Sequence, residues 1–171
     1  MASLIEDLIS TLEKEIVEYE KLLELSKKKG AIIVSRDIAA LERITDEEQI
    51  VVSKINSLDS KRNEVTIDIA NVLNKDVETL KISVLIGLLG RQPKEQGRLQ
   101  EVHDKLKVTV SAVRTINENN KQLINQSLEM IEFDLNMVRA MRQAPQTNNY
   151  GRGAVSVGGT LGSVGGFDAK Q

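Results

Sequence analysis

No cysteine, no tryptophan and only two prolines occur among the 171 residues. Without cysteine there is no disulfide framework and no thiolate metal site, which fits a reducing compartment and leads to the expectation of a cytoplasmic protein. Aromatic residues make up 2% of the chain, so a core has to be built from aliphatic side chains. An excess of one charge is missing too. The 23 Lys and Arg nearly balance the 25 Asp and Glu, leaving no basic field to hold nucleic acid by its phosphates. The longest apolar run, 82–89, includes Ser83 and Gly87 and is too short for a hydrocarbon core about 30 Å thick, so no stable membrane insertion is expected. The opening MASLIEDLISTLEKE has Glu6 and Asp7 where a signal peptide needs positive charge, and secretion by that route is not expected.

What is present is a recurrence of Leu, Ile and Val at spacings of three and four, the pattern of long amphipathic helices. The fold class expected is all-α: an elongated antiparallel bundle of three long helices with a short inserted helix. Residues 1–145 form the bundle domain, and 146–171 form a flexible Gly-rich tail that holds seven of the eleven glycines. The first helix is expected over residues 3–29, with Ser3 and Glu6 at capping-box spacing and the stripe Ile5, Leu8, Leu12, Ile16, Tyr19, Leu23, Ser26. The run KKKG reads as its stop, three cations at the C-terminal end of the dipole followed by Gly30. A second helix starts near Ser35 and Asp37, with Ile38, Leu41, Thr45, Glu48, Val52, Ile55, Leu58, Val65, Ile69 and Val72 as its stripe. Within it NSLDSKRN, residues 56–63, is a place to bend or loosen, because Asn, Ser and Asp compete for backbone groups. Asn74, Lys75 and Asp76 end it, Asp76 then caps a short apolar helix that acts as a lid, and RQPKEQG forms a turn. The last helix, about 94–144, stops at Pro145.

Chemistry-bearing patterns are sparse. His103 is the lone histidine, between Glu101 and Asp104, and without HExxH spacing it reads as a surface or seam residue. The glycines of GGTLGSVGGF lack the Lys-Ser/Thr ending of a phosphate loop. The carboxylates lie on solvated faces, with no pair set apart for acid and base work. No catalytic residue, metal site or cofactor is expected.

The informative stretch is SAVRTINENNKQLINQSLEMIEFDLNMVRAM, residues 111–141. Ile124, Leu128, Ile131, Leu135 and Val138 form one stripe, and Leu123, Met130, Met137 and Met141 form a second with Phe133 further round. The two cover more than half the circumference, more than one neighbouring helix can bury. Either the first and second helices pack on both stripes, or the methionine stripe is an adaptable groove for a partner. Asn120 and Ser127 fall on the apolar side, where a buried Asn fixes register or oligomeric state or meets an incoming helix.

The stretch TINENNKQLINQSLEMIEF, the heptad-patterned N-terminal helices, the short apolar insert after NKD and the tail ending in FDAKQ together resemble the FlgN family of flagellar type III export chaperones, over essentially the whole chain. The resemblance implies a cytoplasmic protein that holds hook-filament junction proteins soluble, binds them through their C-terminal helical segments and delivers them to the flagellar export apparatus. It also places client binding on the last helix and the tail. The candidate client-binding residues are Asn120, Leu123, Ser127, Met130, Phe133, Met137, Met141, Tyr150 and Phe167. In the tail, Tyr150 and Phe167 are spaced apolar contacts that order on binding. The competing class is a structural coiled-coil protein that self-associates through its long helices, and a homodimer stays open.

Overall fold

The computed structural model describes residues 2–143, so the tail with Tyr150 and Phe167 lies outside the described residues. Its elements are α1 (Ala2–Ser35), α2 (Ile38–Leu73), a single 3₁₀ turn (Val77–Thr79), α3 (Ile82–Leu88) and α4 (Pro93–Gln143). There is no strand among the described residues.

The stripe read for the first helix is the core. Ile5, Leu8, Ile9, Leu12 and Ile16 are buried, and Tyr19 and Leu23 are half-buried. The helix does not stop at KKKG, however. It runs five residues past Gly30, because Ile33 is buried and holds one more turn, while Lys27 and Lys29 go to Glu24 (2.9 Å) and Glu48 (2.6 Å) instead of the helix end. Gly30 has a packing reason. A Cβ there would meet Asn120 Oδ1 at 3.0 Å, so a bare backbone lets α4 come close.

A two-residue turn reverses the chain. Arg36 takes up left-handed backbone (φ 57°), and Asp37 caps α2 by accepting from the Ala40 N–H at 2.9 Å. In α2 the sequence phase was partly off: Ile44, Val51 and Ala70 are buried with Ile55, Val65 and Ile69, whereas Ile38 and Val72 are exposed. NSLDSKRN does not break the helix. Ser57 and Ser60 return their hydroxyls to the carbonyls of Ser53 and Asn56 (both 3.1 Å), a bonding that leaves the helical ladder whole. Asn74, left-handed at φ 50°, ends α2 with its N–H on Ala70 and Asn71 carbonyls.

Asp76 caps the 3₁₀ turn (Glu78 N–H, 3.1 Å) and not the apolar helix behind it; α3 starts after Lys81 with no side-chain cap. The lid reading stands otherwise: Leu80, Leu85, Ile86 and Leu89 join Leu8, Ile69, Leu99 and Leu106 in one apolar cluster at the base of the bundle. Pro93 opens α4, where its missing N–H is harmless, and Gly97 lies inside the helix instead of in a turn.

Ion pairs across the helices define direction. Glu6 and Glu13 meet Arg98 at 2.8 and 3.6 Å, and Glu20 meets Lys105 at 3.1 Å, so α4 runs parallel to α1. Glu15 meets Arg62 at 3.0 Å and Ser26 meets Glu48 at 2.9 Å, so α2 runs antiparallel to both. α1 is the middle helix of this up-down-up bundle, and no Cα of α2 comes within 8 Å of one in α4. The core thins upward along the bundle: an apolar base, a smaller cluster of Leu22, Val51, Ile55 and Val113, then a polar layer of Ser26, Lys29, Glu48 and Asn120.

Candidate interaction surface

Fifty-one residues of α4 amount to about 77 Å of helix, against about 51 Å for the 34 residues of α1. Because both helices start at the same end of the bundle, α4 must outrun its partners at the other. Arg36, the first residue after α1, marks where. Its guanidinium donates to Met130 Sδ at 3.4 Å and lies 3.7 Å from Asp134. Beyond Asp134, residues 135–143, about 14 Å of helix, extend past the turn that joins α1 and α2.

The two apolar stripes run from beside the α1–α2 turn out onto this projecting end, and beyond the half-buried Leu123 neither is buried. Ile124, Leu128, Met130, Ile131, Phe133, Leu135, Met137, Val138 and Met141 are all between 37% and 69% exposed. Of the two alternatives, the one in which the first and second helices pack on both stripes does not hold: those helices turn back too early. The reason is length. Periodicity gave the faces of α4 correctly, but burial of a face needs a neighbour at that height. Val34 and Ile38 at the α1–α2 turn are exposed as well, extending the apolar region around the tip. A small groove of about 100 Å³ runs between Ile33, Ile38 and Leu41 on one side and Ile124, Leu128 and Ile131 on the other.

Among the candidate residues, the structure brings Met130, Phe133, Met137 and Met141 to this exposed end, with Leu123 and Ser127 half-buried at its root. Asn120 sits elsewhere. It is 7% exposed and donates from Nδ2 to the Ser26 carbonyl at 2.7 Å, so its amide is held inside the α1–α4 seam and faces no incoming helix. That is the register role of a seam Asn. Residues that the sequence reading did not select as partner-binding, Leu128, Ile131, Leu135 and Val138, are exposed there too. The signal for them was the helix lengths: a last helix about fifteen residues longer than the others leaves its end uncovered whichever stripe is considered.

Other chemistry is sparse. No group of three or more His, Cys, Asp or Glu able to hold a metal occurs among the described residues, and none of their helices is long and apolar enough to cross a membrane. His103 is half-buried at the α2–α4 cleft with Nδ1 3.5 Å from Asp104, whose carboxyl is held low chiefly by a hydrogen bond from Gln100. Deep in the bundle, burial raises the Glu15 carboxyl above its ordinary range although Arg62 pulls the other way.

A family model described as FlgN protein matches residues 1–156. An uncharacterized protein YvyG of Bacillus subtilis (strain 168) is 24% identical over 143 residues, which cover 84% of this chain and 82% of that protein. No solved structure matches.

Proposed function

Given that the chain belongs to the FlgN family of flagellar export chaperones, we propose that it is a cytoplasmic chaperone whose projecting α4 end covers the C-terminal helical segments of hook-filament junction proteins and hands them to the export apparatus. One observation carries the reading: nine large apolar side chains stand open on a single helical end, in a chain whose base is otherwise well packed. A soluble protein keeps such a surface for a partner. A client that assembles outside the cell has the complementary problem, an apolar helical face with nothing to pack on until assembly, and each surface covers the other. Leu123, Ser127, Met130, Phe133, Met137 and Met141 are proposed as contacts together with Leu128, Ile131 and Leu135. The three methionines give the surface its tolerance for more than one client. Tyr150 and Phe167 are proposed to add contacts from the tail. Asn120 acts indirectly, by holding α4 on α1. No step in this activity needs a catalytic group or a cofactor.

The test is co-expression with the C-terminal segment of a hook-filament junction protein from the same bacterium. Replacing Leu128, Leu135 and Met137 by Ser is expected to lower affinity by roughly 100-fold, about 2.7 kcal/mol, with thermal unfolding unchanged. Undiminished capture by the triple variant would overturn the proposal. The same exposed end also offers a seam to a second copy, and this is the second reading. A sedimentation profile in which mass rises with concentration, and falls back in the triple variant, distinguishes self-association from client binding.

A further inference from the structure

Two columns of α4 meet α1 at heptad spacing. One is Leu99, Leu106, Val113 and Asn120; the other is Val102, Thr109, Ile116 and Leu123. Leu99 and Leu106 join the α1 core, Val113 packs with Leu22, Asn120 bonds Ser26, and Leu123 lies close to Gly30. Continued without a shift of register, these columns become Ser127, Asp134 and Met141, and Met130 and Met137. The methionine stripe is thus the α1 seam prolonged past the end of α1, and Arg36 touches it at Met130 and Asp134, the point where α1 gives out.

The other stripe has a different history. Alongside α2 its columns read His103, Val110, Asn117 and Lys107, Arg114, Lys121. Val110 packs on the apolar core, while the other five are polar or cationic and line clefts with Arg62 and Glu48, where no α2 backbone comes close. At the tip the same columns turn aliphatic: Ile124, Ile131, Val138 and Leu128, Leu135. Ile124, Leu128 and Ile131 face Ile38 and Leu41 across the small groove, which fixes this side as the one that looks toward α2. A face that is mostly polar where α2 passes at a distance, and aliphatic from the start of α2 outward, with Leu135 and Val138 beyond the groove altogether, is built for a helix that packs closer than α2 does.

A single helix buries one stripe of roughly 100°. Here two are open on different faces. Resting on the client reading above, we propose that the occupant is a pair of antiparallel helices, a helical hairpin of the client, one helix continuing the axis of α1 over Met130, Met137 and Met141 and the other on the α2 side of α4, closer than α2 itself lies, over Ile131, Leu135 and Val138. The three-helix cross-section of the bundle is thereby prolonged to the end of α4. A second copy of this chain does not meet the requirement, since a facing projection brings one helix and leaves one stripe of each copy uncovered.

The absence of cysteine makes the test clean. Single variants Met137→Cys and Val138→Cys, each carrying a short thiol-directed photocrosslinker, are co-expressed with the C-terminal segment of a hook-filament junction protein, and the linked peptides are sequenced by mass spectrometry. The expected result is that the two positions link to two different stretches of the same client chain, separated by a turn. Cutting the client between those stretches is expected to abolish one link only and to weaken binding by at least roughly tenfold. Links from both positions to one client stretch overturn the hairpin and leave the client reading standing. Links only to a second copy, or to residues 144–171 of the same chain, overturn it as well. A client that binds with no link at either position overturns both this inference and the assignment of the surface.

Discussion

Leu106 and Leu135 lie on one continuous helix, α4, each in an aliphatic stripe, yet the first is 7% exposed and the second 50%. What separates them is the company each keeps. At Leu106 the helices α1 and α3 close over the side chain in a shared cluster; at Leu135 the chain has already turned back at Arg36 and Asp37. The part of α4 beside α1 is held by packing and by contacts such as Asn120 to Ser26, and the part beyond Asp134 by its own hydrogen bonds, so the same residue type is structural in one part and available for recognition in the other.

Truncation at the base gives the largest contrast. Leu12→Ala or Leu99→Ala, at sites with no exposure, is expected to cost about 3 to 5 kcal/mol of folding stability, while Leu135→Ala or Ile131→Ala stays within about 0.5 kcal/mol. Denaturant unfolding measures both, and similar losses at the two ends would erase the distinction.

The next effect tests whether the polar layers belong with the packed half. Glu15 is almost fully buried and relies on Arg62, which also reaches Asp59. Arg62→Met removes the partner of a buried carboxylate and is expected to cost about 2 kcal/mol at neutral pH, read again by denaturant unfolding. The companion change, Glu15→Gln, is smaller and depends on pH. Burial holds the folded carboxyl above its ordinary value of 4.5, so folding opposes the ionised form. That penalty is absent below 4.5 and grows as pH rises through the folded value. Relative to Glu15→Gln, the native protein is therefore expected to gain stability as pH is lowered from neutral toward that point. Parallel stability curves for the two proteins would show that Glu15 titrates as an exposed group.

The smallest effect lies at the boundary between the halves. Gly30→Ala gains about 1 kcal/mol of helix propensity, but the new methyl presses on the Asn120 amide at 3.0 Å. Alone it is expected to be near neutral. In an Asn120→Ala background, where the amide is gone, the same change is expected to stabilise by about 0.5 to 1 kcal/mol. A thermal double-mutant cycle with no coupling would mean that the close approach of the two helices imposes no strain.

Much of this protein was legible without coordinates, because the signals are local. The stripe from Ile5 to Ile16, the start of the second helix near Asp37, the stop at Asn74 and the two apolar faces of α4 each follow from spacing or from one residue's preferences within a few positions. The likeness to the FlgN family was legible as well, in residues that the structure later divides between seam and surface. Gly30 was misread for the converse reason: next to three lysines it has the local look of a helix stop, and its purpose, room for Asn120, comes from a residue 90 positions away.

The amino-acid sequence by itself determined that long aliphatic helices form, roughly where they begin and end, and that the last of them has more apolar surface than one neighbour can bury. Only the tertiary structure decided which part of that surface is core. A helix's periodicity is a property of its own residues, but its burial depends on how far its neighbours extend beside it. That reach was set by a two-residue turn and by the parallel register that Arg98, Lys105 and Asn120 impose on α1 and α4.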